Sequence, residues 1–591
     1  MGSLPSGLIS RTFLRSLGSS PRNHGLLRFL THTLTQNTRR SSARSRSGKL
    51  VRSDIQSVLT VAFLLGASAI LSGNPFPGTT TGSNQTSSKQ VRPYYVDRIS
   101  GHDTNTATSP EKAWKTLTKV NATTFRPGDH ILFKSGDIWT GQLWPKGSGT
   151  AEHPIVIDKY GGDVLPVING AGLAEDAVLL KNQEYWEIRN LAITNTSPAP
   201  GIRRGVNLVA ENSGDLHHLY LEGLNIRDVD GSEKDKANGG ISYHAIGDVK
   251  PSRFVDLRIE NNHISHVDRS GIFGWSTHWQ RSKWYPSLGV VIRNNVLDDI
   301  GGDGIVNVAT DGAVVESNVV SRASQRSQDY NVGIWPWSAD NTVIQYNEVY
   351  GTRGQHDAEG FDSDWNSRNT IIQYNYSHDN DGGFLLICNE GSQSPQDSAG
   401  NVGTIVRYNV SRNDHHRAIK LSGPVKNTLI YNNTIYVGKD ENVDVVLHTD
   451  WTGWATDTYF YNNIFFVEGT ARFSYGVSGN PDGSYVSAPG PGKSTNNVYD
   501  YNVYYGLQPA DDPHALAADP LLLNPGQVGI GRSTVAGYAL RGGSPAIDSG
   551  RTIENNGGKD FAGTIIPQCG AADRGAFESH QCSGHQQSSQ P

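Results

Sequence analysis

The sequence has too few sulfur-containing residues for several classes of protein. Only three cysteines and one methionine occur in 591 residues. This scarcity excludes a disulfide scaffold, a cysteine-rich zinc protein and a methionine-rich binding groove. Charged residues are also few, at 18% of the chain. A disordered chain is nevertheless excluded, because 12 Trp, 24 Tyr and 16 Phe require a core or a ligand surface.

Basic residues are concentrated at the N-terminus. Residues 1–53 hold ten of the 51 Lys and Arg residues and no Asp or Glu. The other residues therefore carry 41 basic against 57 acidic side chains, a net charge of −16. A body this acidic argues against nucleic acid as a partner. We predict a monomer without a stable protein partner.

Residues 1–90 are predicted to precede the folded domain. A basic, Ser/Arg-rich stretch is followed by an apolar run over residues 58–71 and by a Gly/Ser/Thr-rich linker that ends near Gln90. This order is typical of an export signal or signal anchor, although an acid-free, Arg/Ser-rich start is also typical of a mitochondrial presequence. We favour a protein that is secreted, or membrane-anchored with its folded domain outside the cytoplasm.

One short pattern recurs from Tyr94 onward, in which an Asn lies within a strand-like run. Its members are 23 to 37 residues apart. The recurring residues are Asn190, Asn225, Asn262, Asn295, Asn318, Asn347, Asn375, Asn409, Asn433 and Asn463. A repeat of this length without helical periodicity predicts an all-β solenoid with the Asn side chains stacked in a ladder. Because parallel crossovers are right-handed, the predicted fold is a right-handed parallel β-helix.

The predicted boundaries are an N-terminal region at 1–90, a β-helix domain at 91–506 and a C-terminal capping segment at 507–591. Residues 109–120 begin with Ser and Pro and contain spaced apolar residues, which predicts a short amphipathic helix that caps the solenoid. Cys569 and Cys582 are candidates for one disulfide in the C-terminal segment. Cys388 is assigned to the core.

A second strand in each coil usually begins with Gly and alternates between two faces. Its second position is Ile or Phe and is predicted to face the interior, so that positions three and five face outward. The outward pairs on successive coils are Phe273 and Trp275, Val306 and Val308, Trp335 and Trp337, Asp362 and Asp364, Leu385 and Ile387, and Lys420 and Ser422. Tryptophans beside acids and a lysine on one sheet predict an exposed groove for sugar rings. The alternative is that a long loop covers this face, which would make the tryptophans core residues.

Asp362 and Asp364 are the predicted catalytic pair. Two residues apart on one strand, their Cα atoms lie about 6.6 Å apart, which is compatible with retaining and with inverting glycosidase geometry. Two close carboxylates also raise one pKa, which provides a general acid. Asp381 and Lys420 complete the predicted catalytic set. The predicted substrate-binding residues are Trp275, Trp335, Trp337, His378, His415, His416 and Arg417. No cofactor is required, and calcium at Asp379 and Asp381 is the alternative.

The repeat and the clustered acids resemble right-handed parallel β-helix carbohydrate-active enzymes over roughly residues 94–506. The sequence from Arg417 to Lys420 is similar to a basic coil of pectin-degrading β-helix hydrolases. This resemblance implies a secreted glycoside hydrolase that cleaves a polysaccharide by paired-carboxylate catalysis. Two other functions stay open. One is a polysaccharide lyase or epimerase that acts on uronic acids with a Lys or His base, and the other is a non-catalytic carbohydrate-binding solenoid.

Overall fold

The chain forms a solenoid of three long β-sheets. A computed structural model of the protein describes residues 91–354, 356–478 and 485–582. Successive coils add one layer to each sheet, and the paired strands are parallel except for the last pair of sheet 3. The predicted all-β parallel β-helix is therefore confirmed.

The strands of the described residues fall into sheets of 17, 13 and 12 strands, here numbered sheets 1, 2 and 3. Sheet 1 contains Arg92–Val96, Asp129–Lys134, Ile155–Tyr160, Trp186–Arg189, Asp215–Glu222, Arg253–Glu260, Ser287–Arg293, Thr310–Asp311, Val314–Glu316, Val343–Gln345, Ser367–Arg368, Ile371–Gln373, Asn401–Val402, Ile405–Arg407, Lys426–Tyr431, Thr456–Tyr461 and Thr495–Asp500. Sheet 2 contains Ile138–Thr140, Val167–Asn169, Ala192–Asn195, Asn225–Val229, His263–Val267, Val296–Ile300, Val319–Ser321, Glu348–Tyr350, Tyr376–His378, Val410–Arg412, Thr434–Val437, Ile464–Val467 and Val503–Tyr505. Sheet 3 contains Asp176–Lys181, Arg204–Glu211, Gly239–Ile246, Ser270–Ser276, Ile305–Val308, Ile334–Trp337, Glu359–Ser363, Gly383–Cys388, Arg417–Ser422, Asn442–Thr449, Thr470–Ser478 and Tyr485–Pro489.

An asparagine ladder lies at the turn between sheets 1 and 2. It contains Asn262, Asn295, Asn318, Asn347, Asn375, Asn409, Asn433, Asn463 and Asn502. Each of the first eight donates its side-chain amide to the Oδ1 of the next at 2.9 to 3.1 Å, and Asn502 donates to Asp512. The predicted ladder is confirmed for eight residues and wrong for Asn190 and Asn225. Leu224 occupies the ladder position of its coil, since its N–H donates to Asn262. Asn190 instead bonds Asp158, and Asn225 pairs with His263 in sheet 2.

A row of fully buried side chains lines the inner face of sheet 3. It consists of Ile272, Ile305, Ile334, Phe361, Leu385 and Ile419. Each buried apolar side chain of this size contributes about 1.5–3 kcal/mol to folding. The glycine that precedes many of these residues is needed for close coil stacking. A Cβ on Gly304 would lie 2.3 Å from the carbonyl oxygen of Gly333 on the next coil.

One strand of sheet 3 has a different register from the predicted one. Leu385, not Phe384, pairs with Phe361, so Leu385 and Ile387 face the interior and Leu386 and Cys388 face outward. In this coil Phe384, not Gly383, lies level with Gly360, and Gly383 pairs with Glu359. Gly383 is held at φ +136°, where an added Cβ would collide with the Arg417 carbonyl oxygen of the next coil. The glycine of this coil therefore lies one register position before Gly360, and the Gly-first alignment misplaces the side chains that follow it.

The predicted helix at 109–120 is only partly correct. A 3₁₀ turn at Pro110–Lys112 and an α-helix at Leu117–Asn121 are separated by extended residues. Trp114 interrupts the helix because it forms a backbone bridge to Val96 of the first strand. Thr116 then caps the second helix by accepting a hydrogen bond from the Lys119 N–H at 3.1 Å. Leu117 and Val120 are buried, as the apolar spacing predicts.

The C-terminal segment packs on sheet 2. Its 3₁₀ turn Arg532–Tyr538 buries Val535 and Tyr538 against side chains that include Tyr376 and Tyr436. Cys569 and Cys582 form the expected disulfide, with Cα atoms 5.6 Å apart. A further 3₁₀ turn, Arg281–Lys283, lies in a loop beside sheet 3. The predicted signal or anchor segment lies outside the described residues, and no helix within them is long and apolar enough to cross a membrane.

Candidate active site on sheet 3

The outer face of sheet 3 is partly covered rather than open. Trp335 and Trp337 are only 6% and 3% exposed. They pack in an apolar cluster with the half-buried Trp275, Trp279, Trp284 and Trp365. Trp279 and Trp284 belong to a loop at 277–286, here called the strap, which joins strands Ser270–Ser276 and Ser287–Arg293. The prediction that Trp335 and Trp337 are exposed is wrong. Trp279 of the strap packs on Trp337, and Lys236 of another loop lies over the ring of Trp335. Trp275 keeps some exposure.

Three side chains that can carry protons lie close together on the next coils of sheet 3. Carboxylate oxygens of Asp362 and Asp364 and the sulfur of Cys388 lie within 4.8 Å of one another. The thiol of Cys388 donates to Asp364 Oδ1 at 2.8 Å, and the backbone N–H of Trp365 donates to the same oxygen at 2.7 Å. Asp362 is 3% exposed, and its Oδ1 has no hydrogen-bond partner among the described residues. The predicted pair is therefore placed together, and Cys388, assigned to the core, belongs beside it.

Burial and mutual repulsion alter the acidity of the pair. Burial raises the pKa of Asp364 to about 7, although hydrogen bonds from Cys388 and Trp365 oppose the shift. Burial raises the pKa of Asp362 well above its ordinary value, and the charges of Asp364, Asp357 and Glu359 raise it further. Two close buried carboxyls of this kind share one proton near neutral pH.

Basic side chains of the next coils border the carboxylates. Lys420 lies in register with Leu386, itself in register with Asp362, and its Nζ is 3.4 Å from Asp357 Oδ1. Its positive charge lowers the pKa of Asp362, in opposition to burial. Arg417 donates its Nε to Glu359 at 2.9 Å and its Nη2 to the carbonyl oxygens of His356 and Asp357. Arg417 therefore holds the segment that leads into the Asp362 strand.

A second buried group of charges lies on the preceding coils. Lys236 Nζ and Arg269 Nη1 donate to Asp303 Oδ2 at 2.8 and 3.0 Å, and Trp335 Nε1 donates to Asp303 Oδ1 at 3.0 Å. Arg269 also binds Asp329 at 2.9 Å. The Lys236 charge acts to lower the pKa of Asp364, against the larger effect of burial. No repeat in the sequence indicated Lys236, because it comes from an irregular loop.

Four predicted site residues lie elsewhere. His378 belongs to sheet 2, where it is buried between Glu348 and Asp379 at 3.1 and 2.7 Å. His415 binds Glu441 at 2.8 Å, and His416 lies beside it in the turn that leads into sheet 3. Asp381 forms an ion pair with Arg353 at 2.6 Å. Nearness in sequence to the strands of sheet 3 predicts these four residues at the site, but the turns of the solenoid direct them away from the outer face of that sheet.

The candidate calcium ligands have cationic partners. Asp379 accepts from His378 and lies 3.3 Å from Arg412, while Asp381 is bound to Arg353. A calcium shell needs six to eight oxygen ligands. Two carboxylates that are already paired with basic side chains do not fit that requirement well.

Comparisons with known proteins bear on this site. The chain is 29% identical to a lacto-N-biosidase of Bifidobacterium longum subsp. longum over 85% of its own length and 37% of that protein. It thus spans just over a third of that curated relative. A crystal structure of the GH136 lacto-N-biosidase from Eubacterium ramulus aligns with a TM-score of 0.53 and 25% identity, over 70% of this chain and 67% of that one. The native form of the same protein aligns with a TM-score of 0.52 and 24% identity, over 69% and 67%. No protein-family model matches.

The predicted resemblance to parallel β-helix carbohydrate-active enzymes is confirmed.

Proposed function

We propose that the protein is a glycoside hydrolase whose active site is the outer face of sheet 3 around Asp362 and Asp364. The observation that carries this proposal is the carboxyl pair of the buried Asp362 and the half-buried Asp364, whose oxygens lie within 4.8 Å and whose pKa values are both raised. Hydrolysis of a glycosidic bond requires one carboxylic acid and one carboxylate. A pair that shares one proton supplies both. The similarity to lacto-N-biosidases supports the same reaction class.

The hydrogen bonds assign a role to each member of the pair. Asp364 accepts from Cys388 and Trp365, and both bonds favour its ionised form. Asp362 has one buried oxygen without such a donor, which favours its protonated form. Asp362 is therefore the general acid and Asp364 the nucleophile or base. One oxygen of each carboxyl group lies within 4.8 Å of the other, and on this basis we propose the retaining mechanism, in which the two groups lie about 5–5.5 Å apart, rather than the inverting one.

The relatives' name suggests a substrate to test first. Lacto-N-biosidases act on lacto-N-biosides, so a 4-nitrophenyl lacto-N-bioside is the first probe. A panel of soluble polysaccharides covers the wider prediction that the enzyme degrades a polysaccharide. Release of nitrophenol or of new reducing ends supports a hydrolase. If the sugar released first has the same anomeric configuration as the substrate, the hydrolase is a retaining one. No release from any substrate contradicts the proposal.

The lyase alternative gives a different product. A lyase forms an unsaturated uronate, which absorbs in the ultraviolet, together with each new reducing end. The same digests are therefore read for that absorbance. Binding to the polysaccharides without any product would instead favour the non-catalytic solenoid.

We also propose that the folded domain works outside the cytoplasm. The Cys569–Cys582 disulfide supports this, because structural disulfides persist mainly in oxidising compartments. Expression of the chain with and without residues 1–90, followed by fractionation, tests it. Retention of the full chain in the cytoplasm would contradict it.

A further inference from the structure

The strap at 277–286 is fixed over sheet 3 by a specific set of contacts. Arg281 donates its Nη1 and Nη2 to the two carboxylate oxygens of Asp340 at 2.9 and 2.8 Å. Its Nε donates to Asn366 Oδ1 at 2.8 Å, and the Asn366 side-chain amide donates to the Trp279 carbonyl oxygen at 3.0 Å. Two-point contacts of guanidinium with carboxylate are geometrically restrictive. The strap therefore holds Trp279 in one place.

The same contacts reach the catalytic segment. Asn366 follows Trp365, and the Trp365 N–H donates to Asp364 at 2.7 Å. The Trp279 ring lies 5.6 Å from the Trp365 ring at 86° and 5.2 Å from the Trp337 ring. Trp337 is the buried centre of this group, whereas Trp275, Trp279 and Trp365 are half-buried. Trp365 thus follows the proposed nucleophile in the chain, and its ring connects Asp364 to the ring of Trp279 in the strap.

We propose that the strap builds a sugar-binding subsite, in which Trp279 and Trp365 contact the apolar face of a pyranose ring next to the cleaved bond. This proposal rests on the proposed hydrolase function for its ligand class. Indole rings offer flat apolar surfaces that suit the C–H face of a sugar. Arg281 and Asp340 are positioning residues in this arrangement, because they contact Trp279 only through the strap and Asn366.

Tryptophan fluorescence measures the dissociation constant of the subsite. The wild type is titrated with free lacto-N-biose and with oligosaccharides from the polysaccharide panel. Trp279→Ala should weaken binding about tenfold, the loss expected for one aromatic contact face. Trp144→Ala removes a tryptophan that is 37% exposed and lies near the N-terminal end of the solenoid, and it should leave the dissociation constant unchanged. Equal binding by wild type and Trp279→Ala overturns the proposal.

Arg281→Gln tests the role of the strap itself. It should weaken sugar binding about as much as Trp279→Ala, and Arg281→Lys, which keeps one charged contact to Asp340, should restore part of the affinity. A purely structural role would lower the melting temperature without changing the dissociation constant, and that result would overturn the positioning role. Binding that depends on Trp279 without turnover would contradict the hydrolase function and leave the subsite supported. If no sugar binds the wild type, the subsite is refuted.

Discussion

The stability of Asp364→Asn, compared with that of wild type at the same pH, should increase as the pH rises. The folded pKa of Asp364 is about 7, and an unfolded Asp has a pKa of about 3.9. Between these values the folded state retains a proton that the unfolded state has lost. Wild-type stability from this group is therefore present at low pH and is lost as the pH rises from about 4 to about 7.

The magnitude follows from the shift of about three pKa units, which corresponds to about 4 kcal/mol for a fully desolvated group. Asp364 is partly exposed, and solvent screening reduces this figure to about 1–2 kcal/mol. The side chain in Asp364→Asn does not ionise, so the variant has no such pH-dependent loss of stability. The free energy of unfolding of Asp364→Asn, minus that of wild type, should thus rise by about 1–2 kcal/mol between pH 4.5 and pH 8.

Urea denaturation followed by tryptophan fluorescence at both pH values measures this difference. Asp163→Asn is the matched control, since Asp163 is an exposed carboxylate far from the site in sequence, and its effect should be the same at both pH values. If the stability difference for Asp364→Asn is independent of pH, or falls as the pH rises, the pKa of Asp364 is not raised in the folded protein, and the proposed sharing of a proton fails.

Five further outcomes are expected. Phe361→Ala should lower the free energy of unfolding by about 3–5 kcal/mol through a cavity in the inner row, measured by urea denaturation. Trp337→Ala should also destabilise by about 3–5 kcal/mol, because Trp337 is buried, and an unchanged melting temperature would contradict the covered face. Cys388→Ala should move the pH limb of kcat/KM that reports Asp364 upward by about half a unit to one unit, while Cys388→Ser keeps it near its wild-type position. Lys420→Ala should raise KM more than it lowers kcat in a hydrolase, whereas loss of kcat alone would favour a lyase base, and EDTA should leave hydrolysis unchanged.

The solenoid could be predicted from the sequence because its repeat is a direct physical requirement. From Asn262 onward the coils place a side-chain amide at the same turn, where it satisfies buried backbone groups, so Asn recurs where the ladder runs. Asn225 does not fit the ladder because Leu224 fills the ladder position of its coil, and the pattern selects the polar neighbour. Asn190 fails for the same reason, because Leu191 holds the equivalent position on the preceding coil.

The outward position of Asp362 and Asp364 could also be predicted, since side chains alternate along a strand. The position of Cys388 could not, because Gly383 lies one register position before Gly360 of the preceding coil, and only the pairing of the two strands shows this. The steric restriction at Gly383 comes from the backbone of the next coil, so it leaves no signal in the local sequence.

The covered state of Trp335 and Trp337 was the main failure. Strand alternation indicates which face a side chain points to, but not whether a loop lies above that face. The strap is anchored by Arg281 to Asp340 and Asn366, which are 59 and 85 residues away in sequence. Contacts of that range leave no periodic pattern, and the same holds for Lys236, which reaches Asp303 from 67 residues away.

The most direct test of the proposed active site is the turnover of Asp362→Asn and Asp364→Asn on the best substrate of the wild type. A positioned acid, base or nucleophile supplies transition-state stabilisation that a neighbouring group does not replace, so each variant should lose about 10²–10⁴ in kcat while remaining folded. Asp357→Asn, measured alongside, should lose less, because Asp357 is outside the pair and affects it through its charge and through its contact with Lys420. If Asp362→Asn and Asp364→Asn both keep wild-type kcat, the carboxyl pair on sheet 3 is not the catalytic centre.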